Sequence, residues 1–218
     1  MNGRVHGLYG IADVSGAPGR TEFEVAEAFL DAGVSVLQLR MKGAPEAAVA
    51  AVIEGLVPRC ADAGCSLLVN DHVGLAARFG IGVHLGQDDA NPAAARDAVG
   101  PDVLVGWSTH DARDVERAAR LPVDYVGFGP VFSAAGKHRA AGDDRSPMAA
   151  RGLATLAAVV ATATVPVVAI GGVDADNLAD VLDTGAAAAA VISAVAAAPD
   201  PRVAARRLAS IASRRDSP

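Results

Sequence analysis

Aromatic residues make up only 4% of this 218-residue chain: one tryptophan, two tyrosines and five phenylalanines. A core with so few rings must be filled by alanine, valine, leucine and isoleucine, the side chains that parallel strands buried on both faces prefer. Cysteine is scarce too. Cys60 and Cys65 lack the ligand-pair spacing of a zinc site, and of the two remaining readings, a disulfide or two buried thiols, the thiols are expected. Excess positive charge is missing. The formal net charge is -6 and the isoelectric point is near 5.3, which leaves no basic footprint for nucleic acid or an anionic membrane. An anionic ligand therefore needs a local cluster of cations. No long apolar stretch precedes the first strand-like run, which follows Met1-Asn2-Gly3-Arg4-Val5-His6. Neither a secretory leader nor a membrane span is expected, and the expected location is the cytoplasm.

What the chain does have is a rhythm. Eight times a short run of branched apolar residues ends on polar or glycine residues and gives way to an alanine-rich stretch with helical spacing. The spacing predicts strands over residues 7–13, 34–41, 66–71, 83–87, 103–108, 125–132, 165–170 and 188–192. Between and after them it predicts helices over 21–32, 44–63, 72–79, 93–98, 112–119, 148–161, 176–182 and 202–213. Thr21 before Glu22 and Glu24, and Asn91 before Pro92, read as helix starts; Gly33 and Gly185 read as left-handed helix ends. Repeated βα units imply a parallel sheet, and eight of them imply a closed (β/α)8 TIM barrel. The length leaves no room for a second domain, so residues 1–218 are expected to form one barrel domain.

Such barrels keep their chemistry at the C-terminal ends of the strands. The second strand ends Gln38-Leu39-Arg40-Met41-Lys42, and alternation puts Gln38, Arg40 and Lys42 on one face with Leu39 and Met41 on the other. If the apolar pair packs under the helices, the polar set faces the mouth, where two cations need a bound anion or carboxylates. The third strand ends Asn70-Asp71 and the fourth ends His84-Leu85-Gly86-Gln87-Asp88-Asp89. Asp71 with either Asp88 or Asp89 gives two hard oxygen donors, which together with a phosphorylated substrate suit Mg2+. Alone, Asp71 reads equally as a helix N-cap. Ser108 and His110 close the fifth strand as rim residues and form no Ser/His/Asp triad. The polar loop 133–147 after the sixth strand reads as a lid, with Lys137 its candidate cation. Gly171-Gly172 after the seventh strand reads alone as a tight turn or a phosphate cradle; with Ser193 after the eighth, it occupies the usual phosphate position of such barrels.

These pieces, with Leu8-Tyr9-Gly10-Ile11-Ala12-Asp13, Gly106-Trp107-Ser108-Thr109-His110, Asp124 to Phe132 and Ala169-Ile170-Gly171-Gly172-Val173, stand in an order that resembles the thiamine phosphate synthase family over nearly the whole chain. The resemblance implies a transferase that joins hydroxymethylpyrimidine diphosphate to a thiazole phosphate and releases pyrophosphate with Mg2+. It implies that Arg40, Lys42, Asn70 and Lys137 hold the diphosphate, with the three cations as the catalytic set. By the same resemblance Asp71 and Asp89 bind Mg2+, Gln38 and Ser108 meet the pyrimidine, and Gly172, Ile192 and Ser193 hold the thiazole phosphate. The partners expected are these small molecules, with no nucleic acid or membrane; a homodimer is compatible with the family.

The chain departs from the family pattern in the lid, where proline-threonine-x-threonine-lysine is replaced by Ser133-Ala134-Ala135-Gly136-Lys137. Losing two hydroxyl donors weakens a charged-ligand site by roughly a few kcal/mol. Ala187 and Ala188 stand where the family commonly has aspartate and glycine. A repurposed or non-catalytic homologue that binds a phosphorylated heterocycle is the alternative these changes raise. The related thiazole tautomerases carry a catalytic histidine where this chain has Pro130, which disfavours their chemistry.

Overall fold

The computed structural model describes residues 5–133 and 149–214. Its elements alternate as β1 (Gly7–Ala12), α1 (Glu22–Asp31), β2 (Val36–Leu39), α2 (Glu46–Asp62), β3 (Ser66–Asn70), α3 (Val73–Phe79), β4 (Gly82–Leu85) and α4 (Pro92–Val99). They continue as β5 (Val105–Thr109), α5 (Ala112–Ala118), β6 (Tyr125–Phe128), α6 (Gly152–Thr162), β7 (Val167–Ile170), α7 (Leu178–Asp183), β8 (Ala188–Val191), α8 (Ser193–Ala196) and α9 (Pro201–Ser213). Every strand pairs in parallel with its sequence neighbour, and β8 closes onto β1. The architecture is the (β/α)8 barrel.

Local chemistry sets the element ends. Thr21 and Glu24 form a reciprocal capping box on α1, worth about 1 kcal/mol at the cap. The Asn91 side chain accepts from the Ala93 N–H with Pro92 at the first helical position. Gly33 and Gly185 adopt φ of 77° and 87°, as helix exits require. The spacing overextends several elements, among them β2, expected over 34–41, and most plainly β6 and α6. β6 stops at Phe128 because Pro130 has no N–H to continue the ladder. α6 starts at Gly152, beyond the expected 148, because the Arg151 and Gly152 N–H groups bond back to Pro130 and Val131. The four-residue α8 was not expected.

Two apolar shells result. Outward strand residues such as Leu37, Leu39, Val69, Val83 and Val126 pack under the helices, each worth about 1.5–3 kcal/mol of burial. Inward ones, including Tyr9, Ile11, Val36, Leu68, Tyr125, Val168, Ala188 and Ala190, fill the barrel. Large and small side chains alternate there, as a tapered interior demands. Ala190 lies opposite Tyr9 in the register. Gly106 lies opposite both His84 and Tyr125, and a Cβ there would fall 2.1 Å from the Tyr125 ring. Ala188, at a departure from the family pattern, is one of these small inward residues. Cys60 and Cys65 are free and buried. Among the described residues no helix is long and apolar enough to cross a membrane.

Candidate active site

Following the inward positions upward, the barrel changes from apolar to polar: Val36 gives way to Gln38, Leu68 to Asn70, and Leu104 through Gly106 to Ser108. Gln38 is 3% exposed. Its Oε1 accepts from the Tyr9 hydroxyl at 2.8 Å, and its Nε2 donates to Asn70 Oδ1 at 2.9 Å. Leu39 and Met41 pack in the outer shell, as expected. Arg40 and Lys42 lie just past the end of β2, and each finds a carboxylate. Arg40 pairs with Asp13 at the end of β1, and Lys42 Nζ stands 3.8 Å from Asp71 Oδ2.

Asp13 is the compensating anion that alternation in β2 could not reveal. It is 5% exposed; burial works to raise its carboxyl, but hydrogen bonds from Ser15 and then the Arg40 charge outweigh it and hold the group below the ordinary value. The signal was Asp13 itself, which ends the first strand-like run.

Asp71 is no N-cap. That position of α3 belongs to His72, which makes no side-chain cap bond. Asp71 instead adopts φ of 67°, the one positive value outside glycine among the described residues. Such a conformation costs of order 1–3 kcal/mol and is retained where the surroundings impose it; here the Asp71 N–H bonds to the His84 carbonyl on the next strand. Its side chain meets Asp89, whose other tie is the Gly86 N–H at 2.7 Å. Burial, then the hydrogen bond and charge of Asp89, push the Asp71 carboxyl up to about 6 against the opposing pull of Lys42 and Arg40. Asp89 moves the other way: burial raises it, and its hydrogen bonds from Asp71 and Gly86 prevail to lower it. Of the two sequence alternatives, Asp89 is the carboxylate beside Asp71.

Among the described residues no group of three or more His, Cys, Asp or Glu is gathered to hold a metal. The Asp71–Asp89 pair offers hard oxygens only, and a bound cation would offset the repulsion by which Asp89 helps to raise Asp71. That donor set fits Mg2+, which takes one or two carboxylates and completes its shell with water and phosphate.

On β5, Ser108 Oγ bonds to His84 Nε2 at 2.9 Å, and His84 Nδ1 reaches the Tyr125 hydroxyl at 2.9 Å. Burial pushes the His84 imidazole down to about 4, so the ring is neutral near pH 7. His110 Nδ1 lies 3.1 Å from the Gly129 carbonyl, a rim contact.

Gly172, Ile192 and Ser193 lie on a separate arc, at the ends of β7 and β8. Gly171 and Gly172 have φ of 102° and 66°, and Cβ atoms there would fall 2.6 Å from Pro130 and 2.8 Å from Phe132. Only glycine fits this turn. Asn177, unmarked in the sequence reading, braces it by donating to the Gly172 carbonyl at 2.9 Å. Ile192 packs on the barrel interior, and Ser193 opens α8. Lys137, Ala134 and Gly136 lie outside the described residues, as does most of the expected lid.

Three comparisons bear on this geometry. The family model described as "Thiamine monophosphate synthase" matches residues 8–195. The thiamine-phosphate synthase of Albidiferax ferrireducens is 41% identical over 202 residues, which is 92% of this chain and 89% of the relative. That of Anaeromyxobacter dehalogenans is 41% identical over 206 residues, covering 94% and 87%. The solved structure of thiamine phosphate pyrophosphorylase from Pyrococcus furiosus superposes with a TM-score of 0.82 at 30% identity, covering 95% of this chain and 96% of the other. These relatives favour the synthase reading over a repurposed binder. On these matches the chain belongs to the thiamine monophosphate synthase family.

Proposed function

We propose that the barrel mouth performs the family's condensation, with hydroxymethylpyrimidine diphosphate seated over β2–β5 and thiazole phosphate over β7–β8. The observation that carries this assignment is the meeting of Asp71 and Asp89 beside Lys42, with Arg40 on the same rim. Arg40, Lys42 and Asn70 hold the diphosphate, together with Lys137, which lies outside the described residues. Gln38 and Ser108 orient the pyrimidine. Gly172, Ile192 and Ser193 receive the thiazole phosphate.

In the reaction the methylene–oxygen bond of the pyrimidine breaks, its electron pair leaves with pyrophosphate, and the thiazole nitrogen lone pair forms the new carbon–nitrogen bond. The electron-rich aminopyrimidine stabilises positive charge on the methylene. The protein's tasks are therefore to neutralise the leaving group and to hold the nitrogen in line. Mg2+ held by Asp71 and Asp89 would supply further positive charge to the pyrophosphate. No side-chain nucleophile is required. The test is pyrophosphate release from both substrates with Mg2+ in the wild type, Asp71→Ala and Asp89→Ala, with circular dichroism to verify folding. Turnover is expected to need the metal and to vanish in both variants; metal-dependent turnover retained in both would overturn the assignment.

A further inference from the structure

Six side chains, one from each of β1 to β6, form a single line of hydrogen bonds: Ser108, His84, Tyr125, Tyr9, Gln38 and Asn70. The line passes through the barrel centre, and both of the chain's tyrosines belong to it. Both phenols are at most 2% exposed, and burial raises both far above their ordinary value. They are hydroxyl donors and acceptors and nothing more. Gly106 leaves the room they need: a Cβ there would lie 2.3 Å from the Tyr125 oxygen and 2.6 Å from His84 Nδ1.

Counting hydrogens fixes a direction. Each inner hydroxyl has one hydrogen, and a neutral imidazole has one N–H. A link holding two hydrogens would clash, and one holding none would leave buried acceptors facing each other, so all five links must point the same way. Tyr9 donates to Gln38 Oε1, and Gln38 Nε2 donates to Asn70 Oδ1. Tyr125 must then donate to Tyr9, His84 Nδ1–H to Tyr125, and the Ser108 hydroxyl to His84 Nε2. At one end the Asn70 amide nitrogen keeps both its hydrogens outside the line. At the other, Ser108 has spent its hydrogen and offers only lone pairs.

We propose that Tyr9, Tyr125 and His84 are positioning residues that lock this direction, so that the mouth presents donors at Asn70 and an acceptor at Ser108. The device selects a ligand with an anionic oxygen at the first end and an N–H at the second. This deepens the proposed function and rests on it: a diphosphate and a ring amino group supply that pair. A ring oxo group in place of the amino group sets lone pairs against lone pairs at Ser108, and its accommodation requires all five links to reverse.

The experiment has two arms. Two-bond 1H–15N correlation spectra of histidine-labelled protein, assigned by the signal missing from His84→Gln, are expected to show His84 protonated at Nδ1 in the ligand-free wild type. In Tyr125→Phe the Nδ1 acceptor is gone, and the ring is expected to switch to the Nε2–H form. In Tyr9→Phe, which separates His84 from Gln38, a mixture of the two is expected. The second arm compares kcat/KM for the amino-ring diphosphate and its oxo-ring analogue, and the preference is expected to fall about tenfold in each tyrosine variant, the equivalent of one ordinary hydrogen bond. An Nε2–H ring in the wild type, or an unchanged tautomer and unchanged preference in the folded variants, overturns the proposal. Lack of any turnover in the wild type contradicts the synthase reading alone, because the spectra still decide the direction of the line.

Discussion

Alanine at position 106 would place a methyl carbon 2.1 Å from Tyr125 Cζ, 2.3 Å from its hydroxyl oxygen and 2.6 Å from His84 Nδ1. None of these atoms can retreat easily. Tyr125 is 1% exposed and bonded to Tyr9, while His84 is bonded to Ser108 on its far side. Overpacking a rigid interior costs about 1–3 kcal/mol, and parting the His84–Tyr125 link leaves buried polar atoms unpaired for about 1–3 kcal/mol more. The expected loss is therefore about 2–6 kcal/mol, a large share of the about 5–15 kcal/mol that holds an ordinary domain folded. Trp107, the sole tryptophan and 3% exposed, adjoins the substitution and reports unfolding by fluorescence. Urea titrations of wild type and Gly106→Ala, followed at Trp107 and by far-ultraviolet circular dichroism, give the difference. Gly74→Ala is the control: it lies in α3 with nothing within 4 Å of the added carbon, and alanine there is expected to stabilise by about 0.5–1 kcal/mol. If Gly106→Ala matches the wild type within about 0.5 kcal/mol, the tight packing around the His84–Tyr125 hydrogen bond is refuted.

Two further substitutions probe the charged rim. Asp13→Asn leaves Arg40 without its buried counter-charge and is expected to cost about 1–3 kcal/mol at pH 7, discounted from a fully buried pair because Arg40 is 30% exposed. Because Asp13 is held below its ordinary value, its contribution is present above about pH 4 and lost as pH falls further; urea titrations of the variant should show a shallower acid limb, and an unchanged limb counts against the pair. Asp71 has the opposite sign. Its folded value of about 6 exceeds an unfolded value near 4, so the folded protein binds the extra proton between them, and the contribution present below about pH 4 is lost as pH rises through 6. In metal-free protein Asp71→Asn is expected to stabilise by about 1–2 kcal/mol at pH 8, after solvent screening, and to do little at pH 4; equal effects at both pH values would contradict the carboxylate pairing.

The repeating architecture was legible because βα units write their period directly into hydrophobic spacing, and all eight strands fall within the expected runs to within a few residues. Element ends were less so, since they depend on long-range bonds such as Arg151 N–H to the Pro130 carbonyl. Four residues hid α8, too short for helical spacing to register. At the site, Gln38, Arg40, Lys42, Asp71 and Asp89 were visible because polar residues at strand ends break an apolar pattern. Tyr9, His84 and Tyr125 lie within strands, where a tyrosine reads as apolar filling. Their meeting depends on register across six strands and on the missing side chain of Gly106, which no local pattern encodes. Asp13 stood in view at a strand end, but its pairing with Arg40 appears only once β1 and β2 are neighbours.

The most direct measurement is mass spectrometry of purified protein incubated with hydroxymethylpyrimidine diphosphate, thiazole phosphate and Mg2+. Thiamine phosphate and pyrophosphate are expected in equal amounts, abolished by EDTA and by Asp71→Ala. Saturable binding of either substrate with no product would refute the synthase activity.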